Sequence, residues 1–166
     1  MPSSAAADPS RARVSLVDLY VLRGRGPTLE CLVLRRASGT RCTGAWEVVH
    51  GHIESGERPA AAARREMLEE TGLAPSRFFN VSRVEAFYQH GIDEVAFVPV
   101  FAAFVGDDAE PVLGSEHDAA EWLAPEAAVA RLAWPREARA LADVVRLLGP
   151  GDAGPLGDVL EISPPA

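Results

Sequence analysis

Three glutamates, Glu66, Glu69 and Glu70, follow Arg65 in a stretch that runs from Gly51 through Glu57 to Gly72. Carboxylates at this density either face water as an acidic surface or converge on a hard cation such as Mg²⁺ or Mn²⁺. The pattern predicts a helix over Pro59–Thr71, with proline at its first position, alanines after it and Gly72 as a left-handed stop. Arg58 falls at the N-cap and caps poorly, so the helix start depends on tertiary contacts. At about 100° per residue, Ala60, Ala63, Met67 and Thr71 share an arc of about 80°, the natural buried stripe. The three acids fill a neighbouring arc, with Glu70 at the rim of that stripe. Glu66 and Glu70 are one turn apart and repel each other by on the order of a few tenths of a kcal/mol. Arg65 can pair with Glu69, in the less favourable order along the helix. No helix residue neutralises Glu66 and Glu70 together, whereas a divalent cation would.

The chain has 166 residues, with 16 basic and 24 acidic side chains for a net charge of −8, and every basic residue is arginine. Without lysine, Schiff-base chemistry and P-loop nucleotide binding are excluded. The negative balance also excludes a protein that grips nucleic-acid polymer through its backbone phosphates. No apolar run reaches membrane-spanning length, and residues 1–13 lack the apolar stretch of a secretion signal. Cys31 and Cys42 match no metal or redox spacing and read as thiols. The expected setting is therefore cytoplasmic, without a membrane partner, and assembly as a homodimer is left open.

Around the acidic helix the chain reads mainly as strands. Val14–Leu22 and Leu29–Leu34 form a pair about a turn at Gly24–Pro27, and Trp46–Val49 is a short third strand ended by Gly51. Val81–Tyr88 and Val95–Val105 follow, with Pro99 marking an edge or a bulge. Glu121–Leu123 is a short strand before helices over Pro125–Leu132 and Pro135–Leu148. Residues 1–13 and the Gly/Pro-rich 149–166 are expected to be tails on a single domain, 14–148, of the α/β layered class.

Gly51 to Leu73 resembles the Nudix box: Gly, five residues, Glu, seven residues, Arg-Glu, an aliphatic, any residue, Glu-Glu, any residue, Gly, an aliphatic. The resemblance implies an α/β/α sandwich with a mixed sheet, and hydrolysis of a nucleoside diphosphate linked to another group. It implies metal ligation by Glu66, Glu69 and Glu70 together with the His50 carbonyl, Mg²⁺ being the expected ion and Mn²⁺ the alternative. Glu57 and Arg65 are implied to orient those acids. Where many members carry glycine, this chain has His50, whose imidazole is expected to project towards substrate. The run from Ser115 to Leu123 resembles the dihydroneopterin triphosphate pyrophosphatase-like subgroup, in which a loop glutamate, here Glu116, completes the metal site. Glu66 or Glu116 then takes the proton of the attacking water, and no protein nucleophile is needed.

Substrate contacts are expected from Arg35, His50, Tyr88 and Trp46. Of the adjacent Arg35 and Arg36, either a phosphate clamp or a strand-end surface charge fits the pattern, and comparison with the family favours Arg35 as the clamp. Tyr88 and Trp46 either stack on a base or pterin ring or belong to the core. Trp122 and Trp134 read as core, and His52, His90 and His117 show no zinc spacing. The expected reaction is pyrophosphate release from a nucleoside triphosphate or dihydroneopterin triphosphate. ADP-ribose or dinucleoside polyphosphate hydrolysis is the alternative, as is a ligand-sensing module without turnover.

Overall fold

A strand buried on both faces must be central, and Leu16–Arg23 (β2) is such a strand. Val17, Leu19 and Val21 enter one core layer, while Tyr20 and Leu22 enter the other. A computed structural model describes residues 10–163. In it β2 joins Arg11–Val14 (β1), Glu30–Arg36 (β3), Trp46–Glu47 (β4), Val49–His52 (β5), Arg77–Gln89 (β6), Glu94–Phe104 (β7) and His117–Leu123 (β8) in one mixed sheet. β1 and β2 both run parallel to β7, whereas β6 lies antiparallel to it and β8 antiparallel to β3. Helix α1 (Pro59–Thr71) covers one face; α2 (Pro125–Arg131), α3 (Pro135–Leu148) and the short α4 (Gly157–Leu160) cover the other. This is the α/β/α sandwich with a mixed sheet that the box implies.

Helix α1 has the expected limits. Proline opens it, Arg58 gives no side-chain cap, and Gly72 closes it at φ 67° with its N–H donating to the Leu68 carbonyl. Its buried residues are Ala62, Ala63, Met67, Glu70 and Thr71, so one acid lies inside the stripe rather than beside it. The strand at Trp46 does not end at Gly51. It pairs first with β3, crosses at Val48, and continues on β2 with Gly51 opposite Val17. Pro99 lies in the interior strand β7 opposite Val84, where β6 breaks register between Asn80 and Val84, so the bulge reading is the correct one.

Both tail expectations need correction. Residues 1–9 lie outside the described residues, but Arg11–Val14 pairs with Glu94–Phe97. Beyond Gly149 the chain returns to the sheet: Leu160 and Ala153 are buried, Glu161 bridges Phe79, and the Ile162 N–H donates to the Phe78 carbonyl at 2.8 Å. Arg77 holds Glu161 through two bonds of 2.8 Å, and Arg64 of α1 donates to the Ile162 carbonyl. Burial of a leucine alone contributes about 1.5–3 kcal/mol. Deleting residues from Asp152 onward is expected to lower unfolding stability by about 2 kcal/mol or more, measured in urea; an unchanged midpoint would mean the segment is a tail after all.

Candidate functional site

Gly51 and Glu66 occupy one space between β5 and α1. A Cβ on residue 51 would overlap the Glu66 carboxyl and Cγ, so glycine allows helix and strand to meet there. Arg65, on the same turn, organises the neighbouring acids. Its Nε and Nη2 hold the Glu57 carboxylate at 3.0 and 2.9 Å, and its Nη1 reaches Glu66 Oε1 at 2.9 Å and Glu69 Oε2 at 3.2 Å. A further bond to the His52 carbonyl ties the guanidinium to β5. Hydrogen bonding from Arg65 holds the Glu57 carboxyl below its usual range. Burial raises the Glu66 carboxyl, opposed by Arg65 and assisted by the negative charges of Glu69 and Glu116.

Glu70 is 5% exposed, and its Oε2 has no hydrogen-bond partner. Burial, followed by the charges of Glu66, Glu47 and Glu116, holds its carboxyl well above the usual range, against a bond from the His50 N–H. Four carboxylates thus share one field. Arg36, at the end of β3, bonds two of them: Nη1 donates to Glu116 Oε2 at 2.6 Å and to Glu47 Oε1 at 3.4 Å. His117 is buried with Nε2 3.2 Å from Glu47 Oε1, which places it as hydrogen-bonded structure.

His50 divides between the two faces of the sheet. Its backbone meets Glu70, while its imidazole Nδ1 lies 2.7 Å from Asp18 Oδ1. Asp18 is fully buried and also bonds Arg136 at the start of α3. Beside it the buried Glu137 accepts the Val48 N–H at 3.2 Å, where the chain crosses from β3 to β2. Arg35 and Trp46 share the outer end of this region. The Arg35 guanidinium lies 5.9 Å from the Trp46 ring and donates to Asp118 at 2.7 Å, and Arg131 lies 4.8 Å from the same ring. Tyr88 is exposed near the end of the β6–β7 hairpin, where its hydroxyl donates to Asp93, and it is not among the groups gathered round Glu70.

Sequence reasoning missed Glu47, Asp18, Arg136 and Glu137, and it favoured Arg35 where the acids meet Arg36. A charged residue inside the apolar run Val14–Leu22 was the available sign for Asp18. Trp122, read as core, packs half-buried against the core on the α1 side with Arg23 over it at 4.4 Å, whereas Trp134, also read as core, is half-buried and meets Phe87 edge-on.

The donor chemistry fits a hard divalent cation: carboxylate oxygens only, one of them buried without a partner where its ionised form is disfavoured in the absence of a cation. Among the described residues, no three His, Cys, Asp or Glu side chains are drawn together tightly enough to hold an ion. Arg65 holds Glu66 and Glu69, while Arg36 holds Glu116.

A mixed sheet between helix layers, with an acid-bearing helix closed on a glycine strand, defines a class of proteins. A model of the NUDIX domain matches residues 11–144, and the chain belongs to that family. Among curated proteins it is 39% identical over 123 residues to an octanoyltransferase of Myxococcus xanthus, covering 70% of this chain and 32% of that protein. It is 32% identical over 114 residues to an isopentenyl-diphosphate Delta-isomerase of Corynebacterium diphtheriae, covering 64% and 61%. The chain therefore spans about a third and about three-fifths of these two relatives. Among solved structures, a NUDIX hydrolase from Listeria monocytogenes superposes with TM-score 0.69 at 21% identity, covering 80% of this chain and 92% of that one. The dihydroneopterin triphosphate pyrophosphohydrolase of E. coli superposes with TM-score 0.65 at 24% identity, covering 78% and 94%. No helix among the described residues is long and apolar enough to cross a membrane.

Proposed function

We propose that this protein is a divalent-metal-dependent pyrophosphohydrolase that cleaves a small nucleoside triphosphate or dihydroneopterin triphosphate by water attack on phosphorus, releasing pyrophosphate. The observation that carries the reading is the buried, unpartnered Glu70 Oε2 facing Glu66, Glu47 and Glu116. Glu66, Glu70 and Glu116 with the His50 carbonyl would hold Mg²⁺ or Mn²⁺, with Glu69 at the rim. When bound, the ion supplies Lewis acidity and lowers the pKa of water. Glu66 Oε2, the oxygen Arg65 leaves free, accepts the proton of the attacking water. Arg65 fixes Glu66 so that the acceptor needs no reorganisation. Arg35 and His50, now paired with Asp118 and Asp18, and Trp46 beside Arg35 are the proposed contacts for an anionic group and a ring.

Two features favour the enzyme over a sensing module: Glu66, Glu69 and Glu70 are all present, and Arg65 bonds two of them. Dihydroneopterin triphosphate is retained beside the nucleoside triphosphates because the subgroup resemblance gives Glu116 a place at the metal site, and Glu116 lies in electrostatic reach of Glu70. A panel of nucleoside triphosphates, dihydroneopterin triphosphate, ADP-ribose and dinucleoside polyphosphates with Mg²⁺ tests the reading. Pyrophosphate from a triphosphate is the expected product; turnover of ADP-ribose or dinucleoside polyphosphates alone would replace the substrate assignment. Isopentenyl diphosphate belongs in the panel because of the isomerase relative, and isomerisation without phosphate release would overturn hydrolysis.

A further inference from the structure

We infer that Arg36 is a positioning residue that competes with the divalent cation for Glu116 and so sets how tightly the ion is held. The inference rests on the metal-dependent reading above. Its geometry does not. Arg36 is anchored on three sides: its backbone N–H donates to the Ala45 carbonyl at 2.9 Å, its Nε to the Arg41 carbonyl at 3.1 Å, and its Nη1 to Glu47 Oε1. Glu47 is buried, and the same Oε1 lies 3.2 Å from His117 Nε2. The strand end is therefore rigid at the guanidinium.

The Glu116 backbone is tied to the same strand, its carbonyl accepting the Ala37 N–H at 2.9 Å. Its carboxylate is the adjustable part, with the side chain 59% exposed against 14% for Arg36. Glu116 thus has one fixed partner in Arg36 at 2.6 Å, and it lies in electrostatic reach of Glu66 and Glu70. The unpartnered Glu70 Oε2 provides a second ligand position in the same field. An ion entering among Glu66, Glu70 and Glu116 meets the positive charge of Arg36 and has to take Glu116 from it. Affinity is lowered by that competition, while Glu116 is kept beside the place where it is needed. Arg65 does not substitute, because its bonds go to Glu57, Glu66, Glu69 and the His52 carbonyl.

The test titrates Mn²⁺ into the full chain without substrate and reads the free ion by electron paramagnetic resonance. Arg36→Gln is expected to bind Mn²⁺ about three- to tenfold more tightly than wild type, since one positive charge is removed and Glu116 is released. Its kcat is expected to fall by about tenfold or more with KM within about twofold, because Glu116 is no longer held in place. Arg36→Lys keeps the charge, so Mn²⁺ affinity should stay within about twofold of wild type and most of the kcat should return. This variant also tests the account if Arg36→Gln does not fold; a tenfold change in its Mn²⁺ affinity would contradict it. Thermal melting separates competition from a purely structural role: the deficit of Arg36→Gln in EDTA should shrink at saturating Mn²⁺. Unchanged or weaker Mn²⁺ binding in Arg36→Gln overturns the inference. So does a raised KM with kcat intact, which would make Arg36 a substrate clamp. A wild-type chain that binds no Mn²⁺ overturns the metal reading itself, whereas wild-type binding with Arg36→Gln unchanged overturns this inference alone.

Discussion

Glu70→Gln is expected to reduce turnover at saturating Mg²⁺ by about a hundredfold or more while raising the melting temperature in EDTA. The first effect follows from loss of a charged oxygen ligand, worth roughly 3 kcal/mol of transition-state stabilisation. The second follows from burial. Glu70 is 5% exposed beside Glu66, Glu47 and Glu116, so its ionised form is disfavoured in the folded chain. The folded state therefore binds the Glu70 proton more tightly than the unfolded state does. Wild-type stability should fall as pH rises from the ordinary carboxylate range through the raised pKa of Glu70, and the Glu70→Gln substitution should remove that slope. Melting curves in EDTA across pH 4 to 8, paired with initial rates in Mg²⁺, measure both effects. A less stable glutamine variant, or one with full turnover, would show that Glu70 is an ordinary buried acid.

Gly51→Ala should be nearly as damaging, for a steric reason. Residue 51 is extended in β5, so backbone strain is not at issue; the added methyl would occupy the space of the Glu66 carboxyl. Either Glu66 swings away or α1 lifts from β5. Overpacking of this kind costs about 1–3 kcal/mol, and displacing Glu66 should lower kcat by about tenfold or more. Glu66→Ala in the same chain should restore stability without restoring activity, a coupling that a double-mutant cycle in urea reads directly. Additive losses in that cycle would mean that Gly51 and Glu66 do not share the space.

Much of this arrangement is legible in the sequence because proline and glycine punctuate it. Pro59 and Gly72 delimit α1, and Pro135 opens α3 at the expected residue. Gly51 misleads for the same reason: it reads as a strand end, yet it is a glycine for close approach, which only the packing of α1 reveals. The Arg35 and Arg36 question turns on the register irregularity between them opposite β8, which alternation along a strand end cannot forecast. Asp18 finds its partners His50 and Arg136 at separations of 32 and 118 residues, and Arg77 finds Glu161 at 84, beyond any local pattern. The box gave the acids their order. Their counter-charges, and the burial that makes Glu70 costly to ionise, come from the fold.

The most direct test follows a triphosphate substrate by ³¹P NMR while Mg²⁺ is titrated into the EDTA-treated wild-type protein. No hydrolysis is expected before Mg²⁺ is added, then appearance of pyrophosphate and a monophosphate in equal amounts, with a rate that saturates in the ion. Hydrolysis at full rate in EDTA, or release of orthophosphate as the first product, would contradict the proposed function.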